Sequence, residues 1–356
     1  MAVSLELVPT DATELAAVLT DATRSGHRVR ILGGGSASRA GVPGPPADLV
    51  VSTRGLDGIV DHQPADLTVT VRAGTPLSTL QDELARVGQT WIQAPERAGA
   101  TVGGVISTAT SGHRRLRFGA IRDSVLQVVI CTGDGRIVTS GGKTVKGVAG
   151  YDIPRLVTGA RGTLGVITEV TLKLWPRPAT TRWCSAPGNP GELAELAGRI
   201  RQSNASVVSM LLDNDRLWVE LMGPAVDLAA PDPLVVSDTP PPPLRMSAEV
   251  LMGVPAGRIG EAGEALAGEG LTFRLWPGVG TCQVEVTTSQ QVEFVHRLAD
   301  RVGGHAVVQD APDTLRRAAW GPEPAGLAIM TRLRAAFDPA GILNPWLAPG
   351  AAQVRT

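Results

Sequence analysis

The first hydrophobic positions of the chain follow the period of a helix and then that of a strand. Residues 11–14 (Asp-Ala-Thr-Glu) have the capping-box spacing of a helix start, and Gly26 predicts the helix end. Residues 28–32, 48–52 and 67–72 are short apolar or alternating runs, so we predict strands there. The apolar residues of the helix share one face: Leu15, Val18, Leu19 and Ala22.

A second helix is predicted from Thr75 to Gly88, with Thr75 as the N-cap and Pro76 at the first helical position. Its apolar stripe consists of Leu77, Leu80, Leu84 and Val87. Further on, strand-like runs at 125–132 and 136–140 flank a Gly-Asp-Gly turn, which is the pattern of a β-hairpin.

The pattern changes after the strand-like run at 162–174 and the Trp-Pro-Arg-Pro sequence at 175–178, where we predict a domain boundary. Beyond about residue 182, helical and strand-like segments alternate, which predicts an antiparallel sheet with helices on one face. A proline run at 238–243 predicts a surface loop. The predicted helices span 192–202, 258–267 and 290–302, and the strands span 207–212, 217–222, 246–252 and 281–287.

Two runs of small residues interrupt these elements and lack the large side chains that a core needs. The first directly follows the strand at 28–32, and consecutive N–H groups in such a loop can converge on a phosphate. The second covers 94–112, where missing side chains would let the main chain approach a ligand. A plain turn and a tight crossing between packed elements remain the alternatives here. The first run consists of Gly33, Gly34, Gly35, Ser36, Ala37 and Ser38.

Neither of two common nucleotide motifs is present. The pattern G-x-G-x-x-G is absent from the first run, because Ser38 stands where its last Gly would be. Gly142-Lys-Thr resembles the end of a P-loop, but that motif needs a Gly five positions earlier, where Ile137 stands. A predicted hairpin also precedes it, so the sequence excludes a P-loop nucleoside-triphosphate site.

Composition excludes several other classes of protein. With 356 residues and 43% apolar side chains, the chain predicts two soluble domains, and its net charge of −1 argues against a nucleic-acid partner. Cys131, Cys184 and Cys282 are far apart, so we expect no disulfide framework, zinc site or iron–sulfur ligand set. The N-terminus lacks a signal-peptide pattern and no long apolar run follows, so a cytoplasmic location is expected.

Several motifs together resemble the p-cresol methylhydroxylase-type FAD-binding domain of the vanillyl-alcohol oxidase superfamily. They cover roughly residues 1–180 and 331–346 and read GGGSAS, AGATVGGVISTATSG, FGAIRDSVL, GGKTVKGVAGYDIPRL, GTLGVITEVTLKLWP and FDPAGILNP. Within that superfamily the chain resembles the FAD-binding (E) subunits of bacterial glycolate oxidase. This narrower resemblance rests on RILGGGSASRAG, GIVDHQPADLTVTVRAGTPL, SGHRRLRFGAIRD and a compact second half.

The resemblance implies an α+β fold in which a two-subdomain FAD-binding domain precedes a smaller cap of antiparallel sheet and helices. The FAD-binding domain would span 1–178, with subdomains at about 1–72 and 73–178. The cap would span 179–330, and the segment 331–356 would return to the FAD-binding domain.

The resemblance also implies which residues contact the cofactor. Relatives with covalently attached flavin often have a His in or beside the first small-residue run, and none is near it here, so we expect noncovalent FAD. The implied pyrophosphate contacts are Gly33, Gly34, Gly35, Ser36, Ala37 and Ser38. The implied flavin and ribityl contacts are Pro95, Ala100, Thr101, Gly103, Gly104, Ser107, Thr108 and Gly112, with Gly165, Val166 and Ile167 on the far side.

The sequence departs from relatives that oxidise 2-hydroxy acids. Those carry a His-x-Gly-Asp-Gly-Asn-type segment with further His and Glu residues in the cap, often holding a metal. That set does not appear here, and we expect no metal. His296 and His305 stand alone in the predicted cap, Gly-Ala-Arg-Gly at 159–162 replaces Gly-Ser-Glu-Gly, and Trp346 replaces a Gly.

A cationic cluster of His113, Arg114, Arg115 and Arg117 follows the second small-residue run. A guanidinium such as that of Arg115 could bind a substrate carboxylate with two hydrogen bonds, and His113 could take a proton during hydroxyl oxidation. The alternative is an Arg–Asp pair, formed by Arg122, Asp123 and their neighbours, that holds the loop, or contacts to another subunit. Tyr151 could line the cofactor pocket or form a structural corner.

The resemblance implies an FAD-dependent oxidoreductase subunit of a glycolate-oxidase-type complex that acts on small 2-hydroxy acids. Its expected partners are a larger FAD-binding catalytic subunit and an iron–sulfur subunit, with at most peripheral association at the inner face of the cell membrane through them. Two alternatives stay open. The chain could be a flavin-binding structural subunit without turnover of its own, or a stand-alone FAD-dependent dehydrogenase for another hydroxy acid or alcohol.

Overall fold

A computed structural model describes residues 5–37, 39–143, 150–203, 206–224, 228–244, 246–317 and 319–348. The predicted cofactor contact of Ser38 and residues 144–149 of the GGKTVKGVAGYDIPRL motif lie outside the described residues. The helices are α1 (Ala12–Ser25), α2 (Leu77–Arg86), α3 (Val102–Ser107), α4 (Arg115–Phe118), α5 (Ile153–Val157), α6 (Pro190–Ser203), α7 (Ile259–Gly268), α8 (Ser289–Arg301) and α9 (Leu327–Phe337).

The strands form four sheets in the described part of the chain. Strands β1 to β10 end before residue 177, and strands β11 to β18 begin after residue 180. The strands are β1 (Leu5–Leu7), β2 (Val29–Leu32), β3 (Leu49–Ser52), β4 (Ile59–Gln63), β5 (Thr68–Arg72), β6 (Gln89–Thr90), β7 (Val125–Cys131), β8 (Ile137–Gly141), β9 (Val166–Lys173), β10 (Trp175–Pro176), β11 (Thr181–Pro187), β12 (Val207–Leu212), β13 (Arg216–Met222), β14 (Val235–Ser237), β15 (Glu249–Gly253), β16 (Phe273–Trp276), β17 (Thr281–Glu285) and β18 (His305–Asp310).

The first sheet is parallel, with the order β1-β3-β2, and its strand β2 leads into the glycine run. Asp11 caps α1 as predicted, because its carboxylate accepts the N–H groups of Thr13 and Glu14. The buried face of α1 packs on this sheet. The end of the chain returns here, since the N–H of Val29 donates to the carbonyl of Ile342 at 2.9 Å.

The second sheet is antiparallel, with the order β4-β5-β9-β7-β8, and it contains the predicted hairpin as β7 and β8. Side chains of α2 and α3 form one hydrophobic cluster with β5, β7 and β9. The predicted N-cap of α2 is wrong, because Pro76 rather than Thr75 occupies that position. The hydroxyl of Thr75 instead accepts the N–H of Gly58 at 2.9 Å and so holds the preceding loop.

The third sheet has eight strands in the order β14-β11-β13-β12-β16-β17-β15-β18, and all its pairs are antiparallel. Helices α6, α7 and α8 share one hydrophobic cluster with it. The hydrophobic pattern alone did not predict β11, β14, β16 or β18. Two of these, β14 and β16, have only three and four residues, which is too short for a clear alternation.

The mixed helix-and-sheet architecture confirms the predicted fold class. The domain boundaries stay a proposal, which three separate hydrophobic clusters support. One joins α1 to the first sheet, one fills the second sheet, and one fills the eight-stranded sheet. No helix among the described residues is long and apolar enough to cross a membrane.

Candidate functional site

An elongated cleft of three adjoining cavities runs between the sheets. We call them the inner, central and outer sections. Gly33 and Ser107 line both the inner and the central section, and Ala37 and Thr108 line both the central and the outer section. The shared lining residues place the three cavities next to one another.

Both predicted small-residue runs line this cleft, and they touch each other. A Cβ atom placed on Gly34 would lie 1.6 Å from the carbonyl oxygen of Gly99, and one on Gly33 would lie 2.5 Å from Oγ1 of Thr101. Only glycine permits such an approach, which explains the residue type at both positions. The bare backbone at 33–35 therefore forms one wall of the central section.

Most residues that the resemblance assigned to the cofactor lie on the cleft. In the central section are Gly33, Gly34, Gly35, Ser36, Ala37, Thr101, Gly104, Ser107 and Thr108. In the inner section are Gly103, Gly165, Val166 and Ile167, and in the outer section is Gly112.

Two of the assigned residues do not line the cleft. Ala100 is buried in the cluster around α2, and its carbonyl accepts the N–H of Leu77 at 2.9 Å. Pro95 lies instead on a groove beside α2 that shares Arg97 with the central and outer sections. Neither residue lines the three sections in the structure, and both assignments stay predictions.

Three arginines on the cleft were not among the predicted cofactor or substrate contacts: Arg30, which lines the central section, Arg97 and Arg161. Arg97 lines the central and outer sections and donates to the carbonyl oxygen of Ser36, in the glycine run. Arg161 lines the inner and central sections and donates to the side chain of Gln309. Burial lowers the pKa of Arg161 to about 10, so it remains a cation at neutral pH. The replacement of Glu by Arg in Gly-Ala-Arg-Gly was the signal that could have identified Arg161.

The C-terminal segment closes the central section. Asn344 donates from its side-chain amide to the carbonyl of Arg161 at 2.8 Å and accepts the N–H of Ile31 at 3.0 Å. The guanidinium of Arg30 lies 4.9 Å from the ring centroid of Trp346, the residue that departs from the family pattern. Trp346 is thus part of the cleft wall.

The outer section lies where the second small-residue run meets the eight-stranded sheet. Arg115 lines it, as expected for a substrate-side residue, and its Nη1 lies 3.5 Å from Oγ1 of Thr281. Glu249 lines the same section and accepts a hydrogen bond of 2.8 Å from the amide of Gln283. Burial raises the pKa of Glu249 and lowers that of Arg115. The section therefore combines a guanidinium with a carboxylate.

The two other catalytic candidates are elsewhere. The Nδ1 atom of His113 lies 3.4 Å from the buried carboxylate of Glu220, and its ring packs 5.5 Å from that of Trp183. It lines none of the three sections, and its role as a proton acceptor stays a prediction. Tyr151 is 93% exposed and also lines none of them, so the structure does not bring it to the cofactor pocket.

No metal centre is formed by the described residues, in which no group of three or more His, Cys, Asp or Glu is placed to hold an ion. The three cysteines are buried free thiols. Burial raises the pKa of Cys131 to about 12, which keeps the thiol protonated at neutral pH.

Comparisons with known proteins identify the family. A family model described as an FAD binding domain matches residues 3–141. The chain is 31% identical over 328 residues to glycolate oxidase subunit GlcE of Escherichia coli, which covers 87% of this chain and 90% of that protein. The chain belongs to the family of the glycolate oxidase subunit GlcE. The GlcE family is one of FAD-dependent oxidoreductases, and the predicted FAD cofactor is confirmed.

Other relatives of this GlcE-family chain match only in part. A D-lactate dehydrogenase of Archaeoglobus fulgidus is 36% identical over 171 residues, which are 48% of this chain and 38% of that protein. Glycolate oxidase subunit GlcD of Bacillus subtilis is 32% identical over 179 residues, 49% of this chain and 38% of that protein. A structure of alkyldihydroxyacetonephosphate synthase has a TM-score of 0.69 at 15% identity, covering 96% of this chain and 76% of that one, and shows the shared fold.

The residues on the cleft fit FAD. The central section presents side-chain-free backbone at Gly33, Gly34 and Gly35 next to the guanidinium groups of Arg97 and Arg161. Main-chain N–H groups and guanidinium groups are the donors that bind a diphosphate. The sections on either side extend this site in two directions, as an elongated cofactor requires.

Proposed function

We propose that the chain is the FAD-binding subunit of a glycolate-oxidase-type complex that oxidises small 2-hydroxy acids such as glycolate and D-lactate. The main support for the proposal is the match to GlcE, which covers 90% of that protein. Two proteins that shared only an FAD-binding domain would match over a much smaller part of their length. The oxidoreductase class, acting on a CH–OH group, follows from the same relatives and from the D-lactate dehydrogenase.

The cleft holds the cofactor in this proposal. The glycine run and Arg161 bind the diphosphate, and the residues at 101–112 hold the flavin beside the outer section. Bound FAD supplies the two-electron acceptor, while the protein supplies orientation and electrostatics. No histidine lies among the described residues that line the three sections, which supports noncovalent binding.

The outer section binds the substrate. A 2-hydroxy acid is an anion at neutral pH, and Arg115 can bind its carboxylate with two parallel hydrogen bonds. Arg97 lines the same section and adds a second positive charge. Glycolate and lactate are small enough to leave the flavin accessible from this side.

Electrons leave the chain through partners. We propose a larger FAD-binding subunit and an iron–sulfur subunit, because the names of two relatives describe them as glycolate oxidase subunits. Such a complex would be cytoplasmic, or peripheral at the inner face of the cell membrane.

Anaerobic flavin reduction tests this function. The full chain, reconstituted with FAD alone and then co-purified with its partners, is mixed with glycolate or D-lactate, and the absorbance of oxidised flavin is followed. We expect it to fall with at least one of these acids. Failure to bind FAD, or flavin that stays oxidised in both preparations, would contradict the proposal.

A second candidate function is a structural flavin-binding subunit, favoured by the lack of a histidine on the outer section among the described residues. It predicts that FAD on this chain stays oxidised while the complex as a whole turns over. A stand-alone dehydrogenase, as the D-lactate dehydrogenase match suggests, predicts turnover of the isolated chain with an artificial acceptor.

A further inference from the structure

Two carboxylates line the outer section, and their partners differ. Asp310 accepts hydrogen bonds from Nε and Nη2 of Arg39 at 2.9 and 3.0 Å, so its charge is neutralised by a bidentate ion pair. Glu249 accepts a hydrogen bond from the neutral amide of Gln283. Of the two, only Glu249 lacks an ion pair to a described arginine or lysine.

Resting on the proposed function, we propose that Glu249 accepts the hydroxyl proton of the 2-hydroxy acid while Arg115 binds its carboxylate. Glu249 thereby becomes a catalytic residue of the reaction. The proposal assigns a proton acceptor to a site in which the sequence pattern of hydroxy-acid oxidases, with its histidines, is missing.

Strand β17 carries a contact residue for each of the two side chains, Arg115 and Glu249. Thr281 contacts Arg115, and Gln283 contacts Glu249. These two strand residues point to the same face and lie about 7 Å apart, because each residue of a strand advances the chain by about 3.3 Å. A small molecule that carries a carboxylate and a hydroxyl on adjacent carbons can bridge such a separation.

The proposed reaction oxidises the 2-hydroxy acid to a 2-oxo acid. The substrate O–H proton moves to a carboxylate oxygen of Glu249, and FAD, when bound, would supply the two-electron acceptor for the hydride of the α C–H bond. The C–O bond becomes the carbonyl of a 2-oxo acid. The substrate has lost two electrons and two hydrogens, and Glu249 then releases its proton to solvent.

His113, the histidine of the cationic cluster, is not placed to substitute for Glu249. His113 does not line the outer section, and its ring packs against Trp183 and the carboxylate of Glu220. Asp310 is also a poor acceptor, because both of its carboxylate oxygens already bind the guanidinium of Arg39.

The surroundings of Glu249 suit a proton acceptor. Burial raises the pKa of its carboxyl group, which strengthens it as a base near neutral pH. The charged groups that face it are Arg97 and Arg161, which act in the opposite direction, and Asp310, which adds to the increase. Arg115 completes the set of charges that line the section.

The test compares Glu249→Gln with the matched variant Glu285→Gln. Glu285 lies opposite Glu249 in the β15–β17 ladder but binds Ser247 and does not line the cleft. Single-turnover anaerobic reduction of FAD by glycolate and D-lactate is measured from pH 5 to 9 for the full chain, alone and with its partners. FAD affinity is measured by fluorescence titration.

For Glu249→Gln we expect unchanged FAD affinity, a reduction rate lower by about 10²- to 10⁴-fold, and loss of the rise in rate with pH that deprotonation of a base produces. Glu285→Gln should match wild type. If wild type is reduced and Glu249→Gln is reduced equally fast with the same pH profile, this inference is wrong while the proposed function stands. If wild type is not reduced in either preparation, both are wrong.

Discussion

The guanidinium of Arg114 binds the carboxylate of Glu220 on β13 through hydrogen bonds of 2.7, 3.0 and 3.2 Å. The Glu220 side chain is 1% exposed, and that of Arg114 is 24% exposed. This ion pair connects the run at 94–112, which lines the cleft, to the eight-stranded sheet. Part of the cationic cluster therefore holds the loop in place, through a glutamate partner rather than the Arg122–Asp123 pair that the sequence suggested.

Loss of this ion pair should strongly destabilise the protein. In Arg114→Met the apolar stem is kept, but Glu220 stays buried without its cation. Breaking a buried pair in this way costs about 3–5 kcal/mol of unfolding free energy. Chemical denaturation of the variant measures the loss. Arg24→Met is the control, because its pair with Asp21 is exposed and is expected to contribute less than about 1 kcal/mol. Equal losses in both variants would contradict the assignment.

His113 should make stability depend on pH. Burial lowers the pKa of its imidazole in the folded protein, so between that value and the ordinary one near 6.5 the unfolded chain binds more protons. Unfolding free energy therefore falls as the pH decreases from about 7 to 5.

In His113→Gln the slope of unfolding free energy against pH should fall by an amount that corresponds to at most one bound proton. Denaturation at pH 5, 6, 7 and 8 measures this slope. His27→Gln, at an exposed position, is the control. A wild-type slope that survives unchanged in His113→Gln would show that other groups cause it.

Gly34 tests the contact between the two small-residue runs. In Gly34→Ala, the new Cβ would lie 1.6 Å from the carbonyl oxygen of Gly99, so the loops must separate and the central section changes shape. We expect FAD affinity to fall at least tenfold, measured by fluorescence titration. Gly198→Ala in α6 is the control, since no atom lies within 4 Å of its added Cβ and alanine favours a helix. Wild-type affinity in Gly34→Ala would contradict the contact.

The parts of the cleft that sequence could predict are local. The glycine run follows a strand directly, so Gly33, Gly34 and Gly35 could be assigned from their neighbours in the chain and from the resemblance. Ala100 and Pro95 do not line the three sections, because neighbours in a loop face different sides and only packing against α2 decides which side.

The outer section could not be predicted from sequence, because it depends on long-range pairing. Glu249 approaches Arg115 only because β15 pairs with β17 and the sheet packs against the second small-residue run. These residues are far apart in the chain, and no local pattern links them. Tyr151 belongs to a matched motif in the sequence, but it is 93% exposed and lines none of the three sections.

Arg161 should contribute to cofactor affinity through its charge. It lines the inner and central sections and remains cationic, since its pKa of about 10 is well above neutral pH. A charge-assisted hydrogen bond is worth about 1.5–3 kcal/mol, so Arg161→Gln should weaken FAD binding by roughly ten- to a hundredfold. Arg161→Lys should recover part of the affinity, because it keeps the charge but not the planar fork.

Fluorescence titration of FAD at low and high salt measures this effect, and thermal unfolding of the FAD-free variants checks that the fold is intact. Arg155→Gln is the matched control, because Arg155 lies on α5 with its side chain 58% exposed and lines no section of the cleft. A loss that Arg155→Gln reproduces, or an Arg161→Gln variant with wild-type affinity at low salt, would show that Arg161 only supports Gln309 and Trp320. A loss confined to Arg161→Gln that shrinks in high salt is the outcome expected for a cation beside the FAD diphosphate.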